Sequence, residues 1–217
     1  SEYIETQQKS AVLYRKNPQF DLITTGKVEQ GQLTFQDQHL KRLREAARYF
    51  AYPFDEEKLK AELNQTPAEL DPSTDYRLRI SIAKSGKVSY QLDKLQALPE
   101  AFCKAILVPQ NANLQQPFTY FKTSYRPHLS LGQQEQIYYN AHGQLLESSI
   151  GNLVLQLNGH LYTPPVELGL LNGIYRQHLL ETGQATEKIL SLDDLKSAEK
   201  IYACNAVRGL YELEIDD

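Results

Sequence analysis

The chain has 217 residues, 41% of them hydrophobic and 23% charged, with a formal net charge of −4. This length allows one sizeable domain or two small lobes with a shared core, and a weakly acidic chain without basic runs gives no support for nucleic-acid binding. No apolar stretch approaches the roughly 20 residues of a membrane-spanning helix. The distant cysteines Cys103 and Cys204 predict neither a disulfide framework nor a zinc site, and a cytoplasmic location is expected.

The first part of the chain predicts a strand followed by an amphipathic helix. Residues 1–19 are polar and are expected to begin irregularly, and the apolar run from Phe20 to Val28 predicts a strand that ends in a turn. From Gln36 to Phe50, apolar residues recur at i, i+3, i+7 and i+10, counted from Leu40. This spacing is typical of a helix that buries one face.

A second helix and a β-hairpin are predicted next. Asp55 is a good N-capping residue for a helix over residues 56–64, because its carboxylate can accept a hydrogen bond from a free backbone N–H. The dipeptide Ser85-Gly86 favours a tight turn between two runs with strand propensity. Strands are accordingly predicted at Tyr76–Ile82, Lys87–Leu92 and Phe102–Val108.

The polar segment 109–117, which is bounded by prolines, is the best candidate for a linker. Beyond it strands and helices alternate, and Asn158-Gly159 is a strong hairpin signal. The mixture predicts an α+β fold with a small N-terminal lobe over residues 1–110 and a larger C-terminal lobe over residues 111–217. In the second half, strands are predicted at Gln136–Tyr139, Leu153–Leu157, a short run ending at Tyr162, and Lys200–Cys204, and helices at Gly173–Thr182 and Leu192–Ala198.

Lys122 and Glu147 are the first candidates for chemistry. A lysine that follows an aromatic residue is most often an ordinary surface residue, but a partly desolvated lysine becomes a neutral nucleophile near pH 7. Glu147 could be a solvated glutamate at the end of a strand. Its carboxylate could instead face a pyridine nitrogen and keep that nitrogen protonated.

Two further features could bind an anion. The segment Gly169–Ile174 directly precedes a predicted helix, and Asn172 could simply cap that helix. Alternatively, the free N–H groups at the helix start suit a phosphate, which can approach closely because Gly173 has no side chain. Arg42, three residues after His39, lies beside the apolar stripe of the first helix, from which it could extend into solvent or reach into a cleft to bind phosphate oxygens.

The order of these residues, and the sequence between them, resembles the fold-type IV enzymes that use pyridoxal 5′-phosphate (PLP), also called class IV aminotransferases. The resemblance extends from about Phe20 to the C-terminus and implies a two-lobed fold like that of D-amino acid aminotransferases, with a shortened N-terminal lobe. The matching segments are His39-Leu-Lys-Arg-Leu43, Phe121-Lys-Thr-x-x-Arg126, Glu147-x-x-x-x-Asn152-Leu153, Thr163-Pro164, Gly169-Leu-Leu-x-Gly-Ile-x-Arg176 and Asn205-Ala-Val-Arg-Gly209.

The resemblance implies a role for several of these residues. Lys122 would bind PLP covalently and carry the catalytic proton, Glu147 would hold the ring nitrogen protonated, and Arg42 would bind the phosphate. Further cofactor contacts are implied for Asn152, Gly173, Ile174, Asn205 and Ala206. The candidates for binding a substrate carboxylate are Thr24, Thr25, Arg79, Arg126 and Arg208.

Within the family the chain is most similar to the 4-amino-4-deoxychorismate lyases, in particular to lyase domains fused to aminodeoxychorismate synthase component I. The similarity implies conversion of a small acidic amino compound, 4-amino-4-deoxychorismate, to 4-aminobenzoate and pyruvate in folate biosynthesis. One alternative is a class IV aminotransferase that acts on branched-chain or D-amino acids. Another is a non-catalytic relative that acts as an interaction domain. Family members are usually homodimers, so a homodimer is expected.

The chain departs from the family pattern at two places. The usual first strand and Asp-x-Gly segment are not recognisable, so residues 1–19 are expected to replace part of the smaller lobe. After Arg126, the usual tyrosine and small helical residues are replaced by Pro127-His128-Leu129-Ser130. Because proline disfavours a helical conformation of the residue before it, the segment after Lys122 is expected to follow a different path.

Overall fold

A four-stranded sheet and two helices form the smaller lobe. The computed structural model describes residues 18–65, 70–110, 117–130 and 132–216, so residues 1–17 and most of the predicted linker 109–117 lie outside the described residues. The elements of this lobe are β1 (Leu22–Glu29), β2 (Gln32–Leu33), α1 (Gln36–Phe50), α2 (Glu56–Asn64), β3 (Tyr76–Ile82) and β4 (Val88–Lys94). The strands pair antiparallel in the order β2-β1-β3-β4.

Alternation along β3 gives this small sheet two different faces. One face is apolar and packs with α1 in a cluster that includes Leu22, Leu40, Leu43, Ala47, Leu78, Ile80 and Ile82. On the other face, the half-buried Arg77 and Arg79 alternate with those core residues, as expected for successive residues of a strand. The small sheet therefore presents basic side chains on the side away from α1.

The larger lobe is built on an eight-stranded sheet. Its elements are β5 (Lys104–Pro109), β6 (Glu135–Tyr139), β7 (Leu145–Ser148), β8 (Asn152–Leu157), β9 (His160–Thr163), α3 (Ile174–Glu181), β10 (Ala185–Glu187), α4 (Leu192–Ser197), β11 (Lys200–Asn205) and β12 (Gly209–Ile215), with short 3₁₀ helices at Glu100–Phe102 and Val166–Leu168. The strand order is β10-β9-β8-β11-β12-β5-β6-β7, and a further pairing joins β7 to β8. Strands β8, β11, β12, β5, β6 and β7 therefore close into a barrel, which β9 and β10 extend.

Apolar side chains fill this barrel and cover its outside. A cluster around Ile137, Leu155 and Ala203, all fully buried, forms the larger core. A second cluster, in which Leu179 of α3 packs with Cys204, covers the other side of β11. Strands β7 and β8 are consequently buried on both faces, and the residues at their joined ends are shielded from solvent.

Most of the predicted elements are confirmed, as is the α+β fold. Helix α1 has the predicted bounds, and the Asp55 carboxylate caps α2 by accepting a hydrogen bond from the backbone of Lys58 at 3.0 Å. Strands β2, β7, β10 and β12 were not predicted. Strand β5 pairs with β6 and β12 of the larger sheet, although the predicted division after residue 110 assigns it to the smaller lobe. Among the described residues, no helix is long and apolar enough to cross a membrane.

Candidate active site

A cavity of about 640 Å³ lies where the two lobes meet. Its walls come from β1, β3 and α1 of the smaller lobe and from the ends of β7, β8 and β11 of the larger lobe. Except for Thr24, every residue predicted to bind cofactor or substrate lines it: Thr25, Arg42, Arg79, Lys122, Arg126, Glu147, Asn152, Gly173, Ile174, Asn205, Ala206 and Arg208. Residues that are far apart in the sequence thus come together in one space of a size suited to a small ligand.

The backbone of Lys122 is held by the beginning of β1. Strand β2 pairs only with the far end of β1, so the near end is free to bind another segment. The amide of Ile23 donates to the carbonyl of Lys122 at 2.9 Å, and Thr123 pairs with Leu22. The amide of Ser124 continues this pairing by donating to the carbonyl of Asp21 at 2.9 Å. The path of the Lys122 backbone is therefore fixed by the smaller lobe.

The amine of Lys122 lies in a poorly solvated and positively charged environment. Burial is the largest of the effects that hold its pKa well below the ordinary value of 10.5. The positive charges of Arg126 and Arg42 add to this effect, whereas Glu147 opposes it. A neutral amine is the nucleophilic form of lysine, so this side chain meets the requirement stated for a catalytic lysine.

Glu147 and Asn152 belong to one short hairpin. They are opposite each other on β7 and β8, and the turn between them is closed by a hydrogen bond from the amide of Ser148 to the carbonyl of Gly151 at 2.9 Å. Glu135 on β6 fixes the same turn, because its carboxylate accepts a hydrogen bond from the backbone of Ile150 at 3.0 Å. Glu147 and Asn152 are therefore separated in the sequence by the residues of this hairpin turn, which brings the two side chains to the same end of β7 and β8.

The carboxylate of Glu147 is buried, with 2% of the residue exposed. The interpretation of Glu147 as a solvated residue is therefore wrong. Burial raises its pKa, while Arg126, the backbone amide of Leu171 and Lys122 act in the opposite direction. The nearest cation is Arg126, whose Nη2 is 3.6 Å from Oε2, and Oε1 has no hydrogen-bond partner among the described residues. An unpaired buried carboxylate oxygen can accept a hydrogen bond from a ligand.

Helix α3 begins at the cavity wall without a side-chain cap. Gly173 occupies the N-cap position, and Asn172, which was a candidate for the cap, accepts a hydrogen bond from Arg176 instead. A Cβ atom at Gly173 would lie 1.9 Å from Oδ1 of Asn152. The interpretation of Asn172 as the cap is therefore wrong, and glycine at position 173 is required by the close approach of Asn152. The absence of a side-chain cap makes this helix start a candidate site for an anion.

Arg42 reaches from α1 to the loop before α3. Its Nη2 donates to the carbonyl of Asn172 at 2.9 Å, which places the guanidinium beside the open helix start. Burial lowers the pKa of Arg42 to about 10, so the side chain remains charged at neutral pH. The Asn205 side chain, on the same wall, accepts hydrogen bonds from the amides of Val207 and Arg208, both at 2.9 Å. Arg42, Gly173 and Asn205 thus line one corner of the cavity, which is the candidate anion-binding corner.

The register of β1 and β3 decides which residues reach the substrate side of the cavity. Thr25 and Arg79 are opposite each other and share the cavity face of the small sheet. Thr24 is buried on the α1 side, where its hydroxyl lies 2.6 Å from Nδ1 of His39. The prediction that Thr24 lines the carboxylate pocket is wrong, because neighbouring residues of a strand point to opposite faces.

Two basic residues, one on the cavity wall and one beside Glu147, were not predicted. Arg77 lines the cavity two residues before Arg79, and the alternation along β3 is the signal that could have identified it. His128 is buried, with Nε2 3.8 Å from Oε1 of Glu147. The departure from the family pattern at Pro127 is a signal in the sequence that this segment differs. The contact between His128 and Glu147, however, is visible only in the fold.

A buried lysine, a buried carboxylate and an open helix start on one cavity are typical of PLP-dependent enzymes of the class IV aminotransferase fold. The sequence matches the model of this family, amino-transferase class IV, over residues 21–213, and the chain belongs to it. The family resemblance inferred from the sequence is thereby confirmed.

The most similar relatives include both lyases and aminotransferases. A provisionally assigned aminodeoxychorismate lyase of Schizosaccharomyces pombe is 27% identical over 192 residues, which cover 82% of each chain. The crystal structure of a provisionally assigned amino-acid aminotransferase from Mesorhizobium loti has a TM-score of 0.76 at 29% identity and covers 91% of this chain and 100% of that chain. The 4-amino-4-deoxychorismate lyase of Pseudomonas aeruginosa shares the fold, with a TM-score of 0.65 at 22% identity. The match covers 90% of this chain and 82% of that chain.

Proposed function

We propose that this chain binds PLP at Lys122 and converts 4-amino-4-deoxychorismate to 4-aminobenzoate and pyruvate. One observation carries the proposal: Lys122 and the buried Glu147 line the same arginine-rich cavity. Among the described residues that line the cavity, Glu147 is the only carboxylate. The arginines that line it are Arg42, Arg77, Arg79, Arg126 and Arg208. Such a cavity suits an amino substrate with negative charge, and the similarity to the Schizosaccharomyces pombe relative supports the lyase.

The residues on the cavity walls fit PLP at three points. The amine of Lys122, whose pKa is lowered mainly by burial, suits an aldehyde. The buried carboxylate of Glu147 suits a protonated pyridine nitrogen. The start of α3 at Gly173, which has no side-chain cap, suits a phosphate, which Arg42 would bind from α1.

The catalytic role of each residue follows from its environment. When bound, PLP supplies an electron sink for negative charge on the carbon next to the substrate nitrogen. Lys122, with its lowered pKa, takes the proton from that carbon. Glu147 accepts a hydrogen bond from the ring nitrogen and holds positive charge there. Because loss of pyruvate leaves an aromatic ring, the remaining task of the protein is to orient the C–O bond that breaks.

Arg79 and Arg208 are the best placed residues to bind the two carboxylates of this substrate. Arg126 is 3.6 Å from Glu147 and so is already engaged with a negative charge, and Arg42 lies at the anion-binding corner. Arg79 faces the cavity from β3, and Arg208 faces it from the turn between β11 and β12. Their separate positions suit a substrate with one carboxylate on its ring and another on its enolpyruvyl group.

The test is to load the protein with PLP, supply 4-amino-4-deoxychorismate and measure pyruvate and 4-aminobenzoate. We expect both products in equal amounts, and we expect Lys122→Ala to abolish them together with the visible absorption of the bound cofactor. Lys60→Ala is the matched control, because Lys60 is exposed on α2. A PLP-loaded protein that forms neither product would contradict the proposed reaction.

The second candidate is a class IV aminotransferase, as indicated by the Mesorhizobium loti structure, all of which is covered by the match. The same first step at Lys122 serves both reactions. Transfer of an amino group from a branched-chain or D-amino acid to a keto acid, without pyruvate formation from 4-amino-4-deoxychorismate, would favour this candidate. A purified protein that stays colourless with added PLP would contradict both enzymatic candidates. The remaining alternative would then be a non-catalytic interaction domain.

A further inference from the structure

His128 lies next to the carboxylate that we assign to the ring nitrogen. It belongs to the segment 127–130, in which the chain departs from the family pattern. A turn closed by a hydrogen bond from the amide of Leu129 to the carbonyl of Arg126, at 3.1 Å, brings the imidazole to Glu147. The side chain of His128 is 1% exposed, so solvent does not compete for it.

The facing atoms of this pair are both unpaired. Nε2 of His128 and Oε1 of Glu147 are 3.8 Å apart, and neither has a hydrogen-bond partner among the described residues. A separation of 3.8 Å is too long for a hydrogen bond, but a shift of roughly 1 Å would form one. Since unpaired buried polar atoms are unfavourable, such a shift is expected when a ligand orders the carboxylate.

The charges around the pair favour a neutral imidazole beside an ionised carboxylate. Burial lowers the pKa of His128 to about 4, with a further contribution from the positive charge of Arg126. Glu147 is faced by the same Arg126, by Lys122 and by the backbone amide of Leu171, and all three favour its ionised form. A neutral imidazole can donate one hydrogen bond, and Glu147 offers the unpaired acceptor nearest to Nε2.

We infer that His128 is a positioning residue that donates a hydrogen bond from Nε2 to Oε1 of Glu147 and so directs the other carboxylate oxygen to the ring nitrogen of PLP. The inference rests on the proposed function, because it requires PLP in the cavity. A hydrogen bond donated to a carboxylate favours the ionised form, so His128 opposes the effect of burial on Glu147. Without His128, Glu147 would take up a proton at higher pH and lose its hold on the ring nitrogen.

Three variants test this role in the PLP-loaded protein. In His128→Leu we expect kcat to fall about tenfold, the KM to change within about twofold, and the acidic limb of the pH profile of kcat to move to higher pH. His128→Gln, whose amide can donate from nearly the same position, is expected to restore most of the activity and the pH profile. His142→Leu is the matched control, because His142 is exposed and its hydrogen bond is made by its backbone.

A cofactor-free measurement separates this inference from the proposed function. In protein with ¹⁵N-labelled histidine, NMR is expected to show His128 neutral, with its proton on Nε2, and to show a changed Nε2 signal in Glu147→Gln. If the wild type binds no PLP, the proposed function fails. If the wild type binds PLP but His128→Leu keeps the wild-type pH profile, or His128→Gln restores nothing, this inference alone fails.

Discussion

Around the cavity, several side chains are buried with polar atoms that have no hydrogen-bond partner in the part of the chain that the structure describes. They include Oε1 of Glu147, Nη2 of Arg126 and Nε2 of His128, which lie within one small region. Folded proteins pair nearly all of their buried polar atoms, so such a group of exceptions needs a reason. The reasons that we favour are a polar ligand that binds Glu147 and Arg126, and the hydrogen bond inferred between His128 and Glu147.

Replacing Lys122 by methionine is expected to stabilise the cofactor-free protein near pH 7 by about 1–2 kcal/mol. The folded-state pKa of Lys122 lies well below 10.5, so between these two values the unfolded chain binds more protons and wild-type stability rises with pH. The advantage of Lys122→Met should therefore shrink as the pH approaches 10.5. Urea unfolding of both proteins across this range measures it, and an advantage that is independent of pH would contradict the buried amine.

Gly173→Ala is expected to lower the affinity for PLP about tenfold, because overpacking costs about 1–3 kcal/mol. The new Cβ would lie 1.9 Å from Oδ1 of Asn152 and would push the loop out of the anion-binding corner. The measurement is equilibrium PLP binding followed by absorption. Gly159→Ala is the control, since its φ of 75° makes alanine strained while no atom lies within 4 Å of the new Cβ. Equal losses of affinity in the two variants would show only a general loss of stability.

Among the elements, β1 and β3 carry Thr25 and Arg79, two of the residues expected to bind the substrate. Their antiparallel register places Thr25 opposite Arg79 and turns both towards the cavity, while the intervening residues build the core with α1. A shift of one residue would reverse these faces and bury the arginines. Because the apolar face fixes the register, the basic face is held in place by the same packing that stabilises the smaller lobe.

Arg79→Gln is expected to raise the KM for 4-amino-4-deoxychorismate about tenfold, with a smaller effect on kcat, because a charge-assisted hydrogen bond contributes about 1.5–3 kcal/mol. The affinity for PLP should not change, since Arg79 lies on the substrate side of the cavity. Arg44→Gln is the matched control, because Arg44 is exposed on α1 and pairs with Glu56. A loss of PLP affinity in Arg79→Gln equal to the change in KM would place Arg79 at the cofactor instead.

Elements with a clear period or an adjacent strong turn signal were predicted from the sequence, and several strands without either were missed. Helix α1 has an apolar stripe at helical spacing, whereas β7 is buried on both faces and so shows no alternation. The sequence order of Lys122 and Glu147 indicated the site through the family resemblance. The contact of His128 with Glu147 depends on a turn, and the face on which Thr24 lies depends on the register of β1. Tertiary packing sets both, so neither could be predicted from the sequence.

For the whole molecule, the active site depends on how the two lobes are joined. Ile23 binds the backbone of Lys122, Arg42 binds that of Asn172, and the amide of Lys27 donates to the carbonyl of Ala206 at 3.2 Å. Each of these contacts crosses from β1 or α1 to a segment of the cavity wall. Relative movement of the lobes would therefore change the distances among the groups that bind the cofactor. The homodimer expected from the family resemblance stays a prediction.

The closed barrel also has a consequence for biosynthesis. Strand β12 follows all the other strands of the described chain, and it fills the gap between β5 and β11, pairing Glu214 with Lys104. A nascent chain on the ribosome can form the local hairpin of Glu147 early, but the barrel cannot close until β12 has left the exit tunnel. Asn205 at the end of β11 and Arg208 in the turn before β12 also line the cavity, so the cavity wall is completed only after these residues have been synthesised.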